Sequence, residues 1–160
     1  MIVYLIGFMA AGKSTIGPLL AKKLGLPFMD LDFIIENQAK KSIPEIFLAE
    51  GEAGFRKRES VALFNKPDKG VVATGGGIIT EVCNREFLKS QLVVFLKTDF
   101  FTVKQRIAKH PETRPLADND LEKRFNQRQP LYLEVANFVV DTAGKTAQEI
   151  VEEVYSWMLR

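Results

Sequence analysis

A short stretch near the N-terminus, Gly7-Phe-Met-Ala-Ala-Gly-Lys-Ser14, constrains the fold more than any other part of this sequence. It fits the pattern G-x4-G-K-S/T, follows the wholly apolar run 2–6, and precedes residues 16–24, where leucine and isoleucine recur at helical spacing. Strand, glycine-rich loop and helix in that order are the context of a phosphate-binding (Walker A) loop. The chain is therefore predicted to begin with a buried parallel strand that leads into an anion site.

The chemistry of this loop follows from its residue types. Glycines permit backbone angles that turn successive N–H groups toward phosphate oxygens, and the next helix presents its partly positive N-terminus to the same anion. The Lys13 ammonium is predicted to reach the β- and γ-phosphates and to be catalytic, and the Ser14 hydroxyl to be a Mg²⁺ ligand. The nucleotide contacts predicted in this loop are Gly7, Ala10, Ala11, Gly12, Lys13, Ser14 and Thr15.

Apolar runs alternate with helical segments along the rest of the chain. The further runs that are typical of buried strands lie at 26–32, 70–77, 92–99 and 137–141. Capping-box spacings at 42–45 and 146–149 indicate two helix starts, and glycines within 51–54 break or bend the first of these helices. This alternation predicts a three-layer α/β fold, with helices flanking a five-stranded parallel sheet.

Composition excludes several classes of protein. With 160 residues and 46% hydrophobic residues, the chain is long and apolar enough for one globular domain over 1–160. It has no apolar run of membrane-spanning length and no leader pattern, so we expect a cytoplasmic protein without a membrane partner. Cys83 and His110 are the only residues of their types, which excludes an internal disulfide and a Cys/His zinc site. A net charge of +2 does not suggest nucleic-acid binding.

Polar residues follow two of the predicted strands at the edge where ligands of parallel sheets bind. Asp30 and Asp32 come at the end of the second strand, and the glycines 75–77 come after the third. One carboxylate is suited to orient the Mg²⁺ ligands and the other to accept a proton from an attacking hydroxyl. The alternatives are that Asp32 only caps a helix and that the glycines form a flexible turn.

Four arginines are candidates for binding anions, because the guanidinium grips carboxylate or phosphate through two hydrogen bonds. They are Arg56, Arg106, Arg114 and Arg128. A solvated helix face is the alternative for most of them. Arg114 differs because it lies between prolines in the polar stretch 110–120, which we interpret as a lid loop over about 109–120.

Two further motifs suggest a GTP-binding switch instead. Asn65-Lys-Pro-Asp68 matches the guanine-reading pattern N-K-x-D, and Asp141-Thr-Ala-Gly144 matches the γ-phosphate sensor D-x-x-G. In GTPases the sensor precedes the guanine motif, whereas here it follows. Both matches fix few positions, so the switch is the weaker hypothesis.

Over nearly its whole length the sequence resembles the shikimate kinase family. The motifs that carry the resemblance are GFMAAGKST at 7–15, DLD at 30–32, FRKRE at 55–59, TGGG at 74–77, RPL at 114–116 and RQPLYLEVA at 128–136. The family transfers the γ-phosphate of ATP to the 3-hydroxyl of shikimate in aromatic amino-acid biosynthesis. The resemblance implies an ATP-dependent kinase, one Mg²⁺ ion, a substrate-binding region at about 31–61 and a monomer.

Roles for single residues follow from the same resemblance. Asp30 would hold Mg²⁺ with Ser14, while Asp32 would bind substrate hydroxyls and act as the base. Arg56 and Arg128 would clamp the shikimate carboxylate, with Glu59 orienting Arg56. Gly76 and Gly77 would border the shikimate ring. Arg114 would be the catalytic lid arginine, and Arg106 and Lys145 would contact the nucleotide.

One departure from the family pattern lies in the phosphate loop. Ala10 stands where the family commonly has glycine, and this change should be tolerated if position 10 keeps ordinary backbone angles. Gluconate kinase and adenylate kinase remain as alternative small-molecule kinases, but neither shares the FRKRE and RQPLY motifs.

Overall fold

The computed structural model describes residues 1–65, 67–110 and 120–160. The strands are β1 (Ile2–Ile6), β2 (Phe28–Asp30), β3 (Gly70–Ala73), β4 (Leu92–Lys97) and β5 (Phe138–Asp141). They form one parallel sheet in the order β2-β3-β1-β4-β5. Every apolar run that predicted a strand contains one, so the predicted five-stranded fold is confirmed.

Helices cover both faces of the sheet. They are α1 (Lys13–Leu24), α2 (Leu31–Ala39), α3 (Ile43–Phe64), α4 (Val82–Lys89), α5 (Phe100–Lys109), α6 (Leu121–Val135) and α7 (Ala147–Met158), with a 3-10 turn at Ile78–Thr80. Side chains alternate along β1: Val3 and Leu5 pack in one core with α1 and α7, and Tyr4 and Ile6 pack in the other with α2 to α6. The layers are therefore helix, sheet and helix.

Local signals in the sequence explain where several helices begin and end. Both predicted capping boxes form, at Ser42 for α3 and at Thr146 for α7. Gly25 ends α1 in the left-handed conformation. Gly51 interrupts α3 with a φ of 71° and ψ of −178°, which is the predicted break. Within the described residues, no helix has both the length and the apolar character that crossing a membrane requires.

The order of the strands in the sheet determines where the candidate site lies. The chain leaves β1 toward β2 on one side of the sheet and leaves β3 toward β4 on the other, although β1 and β3 are neighbours. A crevice opens where connections diverge in this way, at the carboxyl ends of the strands. The phosphate loop, residues 7–14, and the glycines 75–77 both follow strands that border this crevice.

Candidate active site

The phosphate loop connects β1 directly to α1. Gly12 precedes the helix with a φ of 100°, a backbone conformation that residues other than glycine rarely adopt. Lys13 is buried, and its Nζ donates to the carbonyl oxygens of Gly7 at 2.6 Å and Phe8 at 3.0 Å. The lysine thus lies across the loop that its ammonium is predicted to serve, at the mouth of the crevice.

Ala10 takes a φ of +64°, in the left-handed region, so the condition under which alanine should be tolerated, ordinary backbone angles, is not met. The Cβ of alanine makes that conformation about 1–2 kcal/mol less favourable than a right-handed one. Arg106 Nη1 donates to the Ala10 carbonyl oxygen at 2.6 Å. A charge-assisted bond therefore holds the strained peptide from α5.

Asp30 links α1 to the start of α2. Its Oδ1 caps α2 by accepting from the backbone N–H groups of Asp32 at 2.9 Å and Phe33 at 3.4 Å. Its Oδ2 accepts from Ser14 Oγ at 3.1 Å. The capping residue is thus Asp30 and not Asp32. Because α2 begins between the two aspartates, their side chains diverge, and only Asp30 is hydrogen-bonded to Ser14.

Asp32 and Glu59 place buried carboxylate oxygens near one glycine. Asp32 Oδ1 and Glu59 Oε2 have no hydrogen-bond partner among the described residues. A Cβ at Gly75 would lie 3.1 Å from the first oxygen and 2.5 Å from the second. Burial is the main cause that raises the pKa of Asp32 to about 7. The negative charges of Glu59 and Asp30 raise it further, and the positive charge of Lys13 opposes the rise. Burial also raises the pKa of Glu59, against the pull of Arg56.

Arg56 is held on α3 by a buried ion pair. Its Nη1 donates to Glu59 Oε1 at 2.7 Å, which is the pairing expected three residues along a helix. Arg56 Nε and Nη2 make no hydrogen bond to a residue that the structure describes, although Nη2 lies 3.5 Å from a Glu52 carboxylate oxygen. A side chain at Gly77 would collide with the guanidinium, so the glycine is needed for this close approach.

Arg128 enters the crevice from α6. It is 5% exposed, and its guanidinium lies 5.7 Å from the ring centroid of Phe8 in the phosphate loop. Burial lowers the pKa of Arg128. One turn later, Tyr132 is fully buried and donates from its hydroxyl to the Gly76 carbonyl oxygen at 2.5 Å. The sequence analysis missed Tyr132; its i, i+4 spacing from Arg128 was the available signal.

These groups face one cleft of about 880 Å³. The predicted site residues that line it are Ala10, Ala11, Gly12, Lys13, Ser14, Thr15, Asp30, Asp32, Arg56, Gly76, Gly77, Arg106, Arg128 and Lys145. Gly7 lies behind Lys13 as a hydrogen-bond acceptor, and Lys145 pairs with Glu153 at 2.6 Å. Arg114 lies outside the described residues. We call the part formed by Asp32, Arg56, Glu59, Gly76, Gly77 and Arg128 the acceptor pocket.

The two GTPase-like motifs lie apart from this cleft. Asn65 ends α3, and neither Asn65 nor Asp68 is among the cleft-lining residues that the structure describes. Asp141 ends β5 and likewise does not line the cleft. The arrangement gives no guanine-reading role to the first motif and no phosphate-sensing role to the aspartate of the second.

Comparisons with known proteins agree on one family. The family model for shikimate kinase matches residues 9–159. A shikimate kinase of Halorhodospira halophila is 43% identical over 95% of this chain and 90% of its own. A solved structure of shikimate kinase from Acinetobacter baumannii in complex with shikimate is 40% identical, with a TM-score of 0.90 over 99% of this chain and 92% of that one. The shikimate kinase of Aquifex aeolicus is 34% identical, with a TM-score of 0.84 over 99% of this chain and 96% of that one.

Proposed function

The chain belongs to the shikimate kinase family and is an ATP-dependent kinase, and from that premise we propose that it transfers the γ-phosphate of ATP to the 3-hydroxyl of shikimate. The observation that carries this proposal is the single cleft in which the phosphate loop, an unpaired aspartate and two buried arginines meet. The products would be shikimate 3-phosphate and ADP. The solved relative with shikimate bound supports the choice of acceptor.

The nucleotide end of the cleft would bind the triphosphate through main-chain N–H groups of the phosphate loop and the N-terminus of α1. Lys13 would then turn from the Gly7 and Phe8 carbonyl oxygens toward the β- and γ-phosphates. Arg106 and Lys145, at the same end of the cleft, would contact the rest of the nucleotide. Arg114 would add positive charge from the lid.

The family implies Mg²⁺ with ATP, and the residues present fit it. Ser14 Oγ and Asp30 Oδ2 lie 3.1 Å apart and are hard oxygen donors of the kind Mg²⁺ prefers. We propose that these two residues hold one ion. When bound with ATP, the ion would neutralise negative charge on the phosphate groups.

Asp32 is the proposed base. The 3-hydroxyl oxygen would form the bond to the γ-phosphorus while the bond from phosphorus to the ADP oxygen breaks, and the hydroxyl proton would pass to Asp32 Oδ1. That oxygen has no hydrogen-bond partner among the described residues, and Asp32 lines the cleft. A pKa of about 7 keeps Asp32 basic enough to accept a proton near neutral pH.

The acceptor carboxylate would be held by Arg56 and Arg128. Nε and Nη2 of Arg56, which have no hydrogen-bond partner among the described residues, form one edge of the guanidinium fork, which suits two parallel bonds to a carboxylate. Gly76 and Gly77 would let the ring approach the main chain.

We further propose one domain over 1–160, with a substrate region at about 31–61 and a lid at about 109–120. The protein would work as a cytoplasmic monomer without nucleic-acid or membrane partners.

Release of ADP measured by a coupled assay tests the proposed reaction. Shikimate, gluconate and AMP are offered separately with ATP and Mg²⁺, and Lys13→Ala provides the background rate. We expect turnover with shikimate alone. Turnover with gluconate or AMP and none with shikimate would refute the proposed acceptor while leaving the kinase fold intact.

A further inference from the structure

Tyr132 lies directly behind the acceptor pocket without lining the cleft. Its ring stacks on Phe95 of β4, with centroids 4.9 Å apart and planes at 29°. The side chain is 0% exposed, so it cannot touch a ligand in the cleft. Any influence of Tyr132 on the acceptor must therefore pass through the groups that its hydroxyl contacts.

The Tyr132 hydroxyl contacts the main chain of the acceptor pocket. It donates to the Gly76 carbonyl oxygen at 2.5 Å. Arg128, one helical turn earlier on α6, lines the same pocket. Burial raises the pKa of Tyr132, so the group stays neutral and keeps the hydrogen that the bond to Gly76 needs.

The helix alone does not fix Arg128 firmly. Pro130 lies inside α6, two residues after Arg128, and it has no N–H to donate to the Asn126 carbonyl oxygen. The helical ladder is thus interrupted in the turn that carries the arginine. Tyr132 anchors the same helix one turn later, because its ring stacks on Phe95 of β4 and its hydroxyl is bonded to Gly76.

We propose that Tyr132 is a positioning residue for the acceptor: by donating to the Gly76 carbonyl oxygen, its hydroxyl holds the turn of α6 that carries Arg128 in register with the Gly76 main chain. This inference rests on the proposed function, because it takes Arg128 and Gly76 as acceptor contacts. The residue shapes the pocket for a carboxylate-bearing ring and has no part in binding ATP.

Tyr4 provides a matched control. It is the other fully buried tyrosine among the described residues, at 1% exposure, and its hydroxyl has no hydrogen-bond partner there. Tyr4→Phe and Tyr132→Phe each remove one buried hydroxyl and keep the ring. Only Tyr132→Phe removes a hydrogen bond to a group in the acceptor pocket, and that loss takes a donor from the Gly76 carbonyl oxygen.

Steady-state kinetics of the two variants test the proposal. We expect Tyr132→Phe to raise the KM for shikimate about fivefold, because the hydrogen bond that ties α6 to the Gly76 main chain is lost. The KM for ATP should stay within about twofold of wild type, and Tyr4→Phe should leave both constants unchanged. An unchanged KM for shikimate in Tyr132→Phe, or equal rises for shikimate and ATP, would overturn the proposal. So would a Tyr132→Phe protein that no longer folds or binds ATP, since Tyr132 would then be a general structural residue.

A double-mutant cycle with Arg128→Lys separates positioning from general loosening. If Tyr132 acts through the guanidinium, Tyr132→Phe should raise the KM for shikimate by less than about twofold in the Arg128→Lys background. Full additivity of the two changes would contradict the proposal. Failure of the proposed function is distinguishable, because wild type itself would then not turn over shikimate.

Discussion

The phosphate loop and the acceptor pocket share one cleft, but they satisfy their polar groups in opposite ways. In the loop, Lys13 is bonded to two carbonyl oxygens, and Ser14 is bonded to Asp30. In the pocket, one oxygen each of Asp32 and Glu59 and two nitrogens of Arg56 are buried without a hydrogen-bond partner among the described residues. The two polar side chains of the loop thus have partners within the protein, whereas the pocket has polar side chains that a ligand must satisfy.

This difference has an energetic meaning. Each buried polar atom without a partner costs about 1–3 kcal/mol, so the acceptor pocket lowers the stability of the free protein. A ligand with a carboxylate and hydroxyl groups supplies the missing partners, and the same free energy then appears as affinity and selectivity. Substitutions in the two regions should therefore have separable effects on nucleotide use, acceptor use and stability.

The largest effect is expected for Lys13→Ala, which disrupts the loop alone. We expect kcat to fall by about 1,000-fold, because the charge that follows the transferring phosphoryl group is lost. Shikimate binding measured by calorimetry without nucleotide should change by less than about twofold, since no acceptor contact is removed. Lys22→Ala, at an exposed position of the same helix, is the control. A parallel loss of shikimate affinity in Lys13→Ala would mean that the two regions are not separable.

The next effect is expected for Asp32→Asn, which affects activity and stability in opposite directions. Loss of the base should lower kcat by about 100-fold. Removing a buried charge without a partner should raise Tm by about 2–4 °C at pH 8. Calorimetry and steady-state rates measure the two effects, and a drop in Tm at pH 8 would contradict the assignment.

The pH dependence of that stability difference has a definite sign. The pKa of Asp32 is raised from 3.8 to about 7, so between these values the folded protein retains a proton that the unfolded chain has released. Wild type should therefore lose stability relative to Asp32→Asn as pH rises from about 4 to 7. Asp99→Asn is the control, because hydrogen bonds from Thr102 lower the pKa of that exposed carboxyl, so its removal should not stabilise at pH 8.

A smaller effect, confined to the acceptor, is expected for Arg56→Lys. The KM for shikimate should rise by about tenfold or more, since an ammonium cannot replace two bonds from a planar fork. The KM for ATP should stay unchanged. Arg58→Lys, on the same helix and paired with Glu50 near the surface, should leave both constants within about twofold. Equal changes in Arg56→Lys and Arg58→Lys would remove Arg56 from the acceptor contacts.

The same contrast explains what the sequence predicted well. The phosphate loop is contiguous, so its motif, the strand before it and the helix after it were readable together, and the predicted family, kinase activity and α/β fold are confirmed. Helix starts were also readable, because the capping boxes at Ser42 and Thr146 involve residues only three apart.

The features that were missed depend on contacts between distant segments. The Ala10 carbonyl oxygen is bonded to Arg106, far along the chain on α5, and no local pattern indicated that contact. Tyr132 was overlooked because its partner Gly76 follows a different strand. Whether Asp30 or Asp32 caps α2 depends on the residue at which α2 begins, and sequence patterns do not locate a helix start to within one residue.

The smallest effect is expected for Ala10→Gly, which tests whether the loop carries strain that the pocket does not share. Relief of the left-handed alanine, about 1–2 kcal/mol, exceeds the roughly 0.4–1 kcal/mol of unfolded-chain entropy that glycine adds. Tm should therefore rise by up to about 2–4 °C, with kcat and both KM values within about twofold of wild type, because Arg106 still holds the carbonyl at position 10. Ala49→Gly, at an exposed position inside α3, should instead lower the free energy of unfolding by about 1 kcal/mol. Destabilisation of Ala10→Gly to the same extent as Ala49→Gly would show that the loop stores no strain at this residue, and the contrast between the two regions would then rest on hydrogen bonding alone.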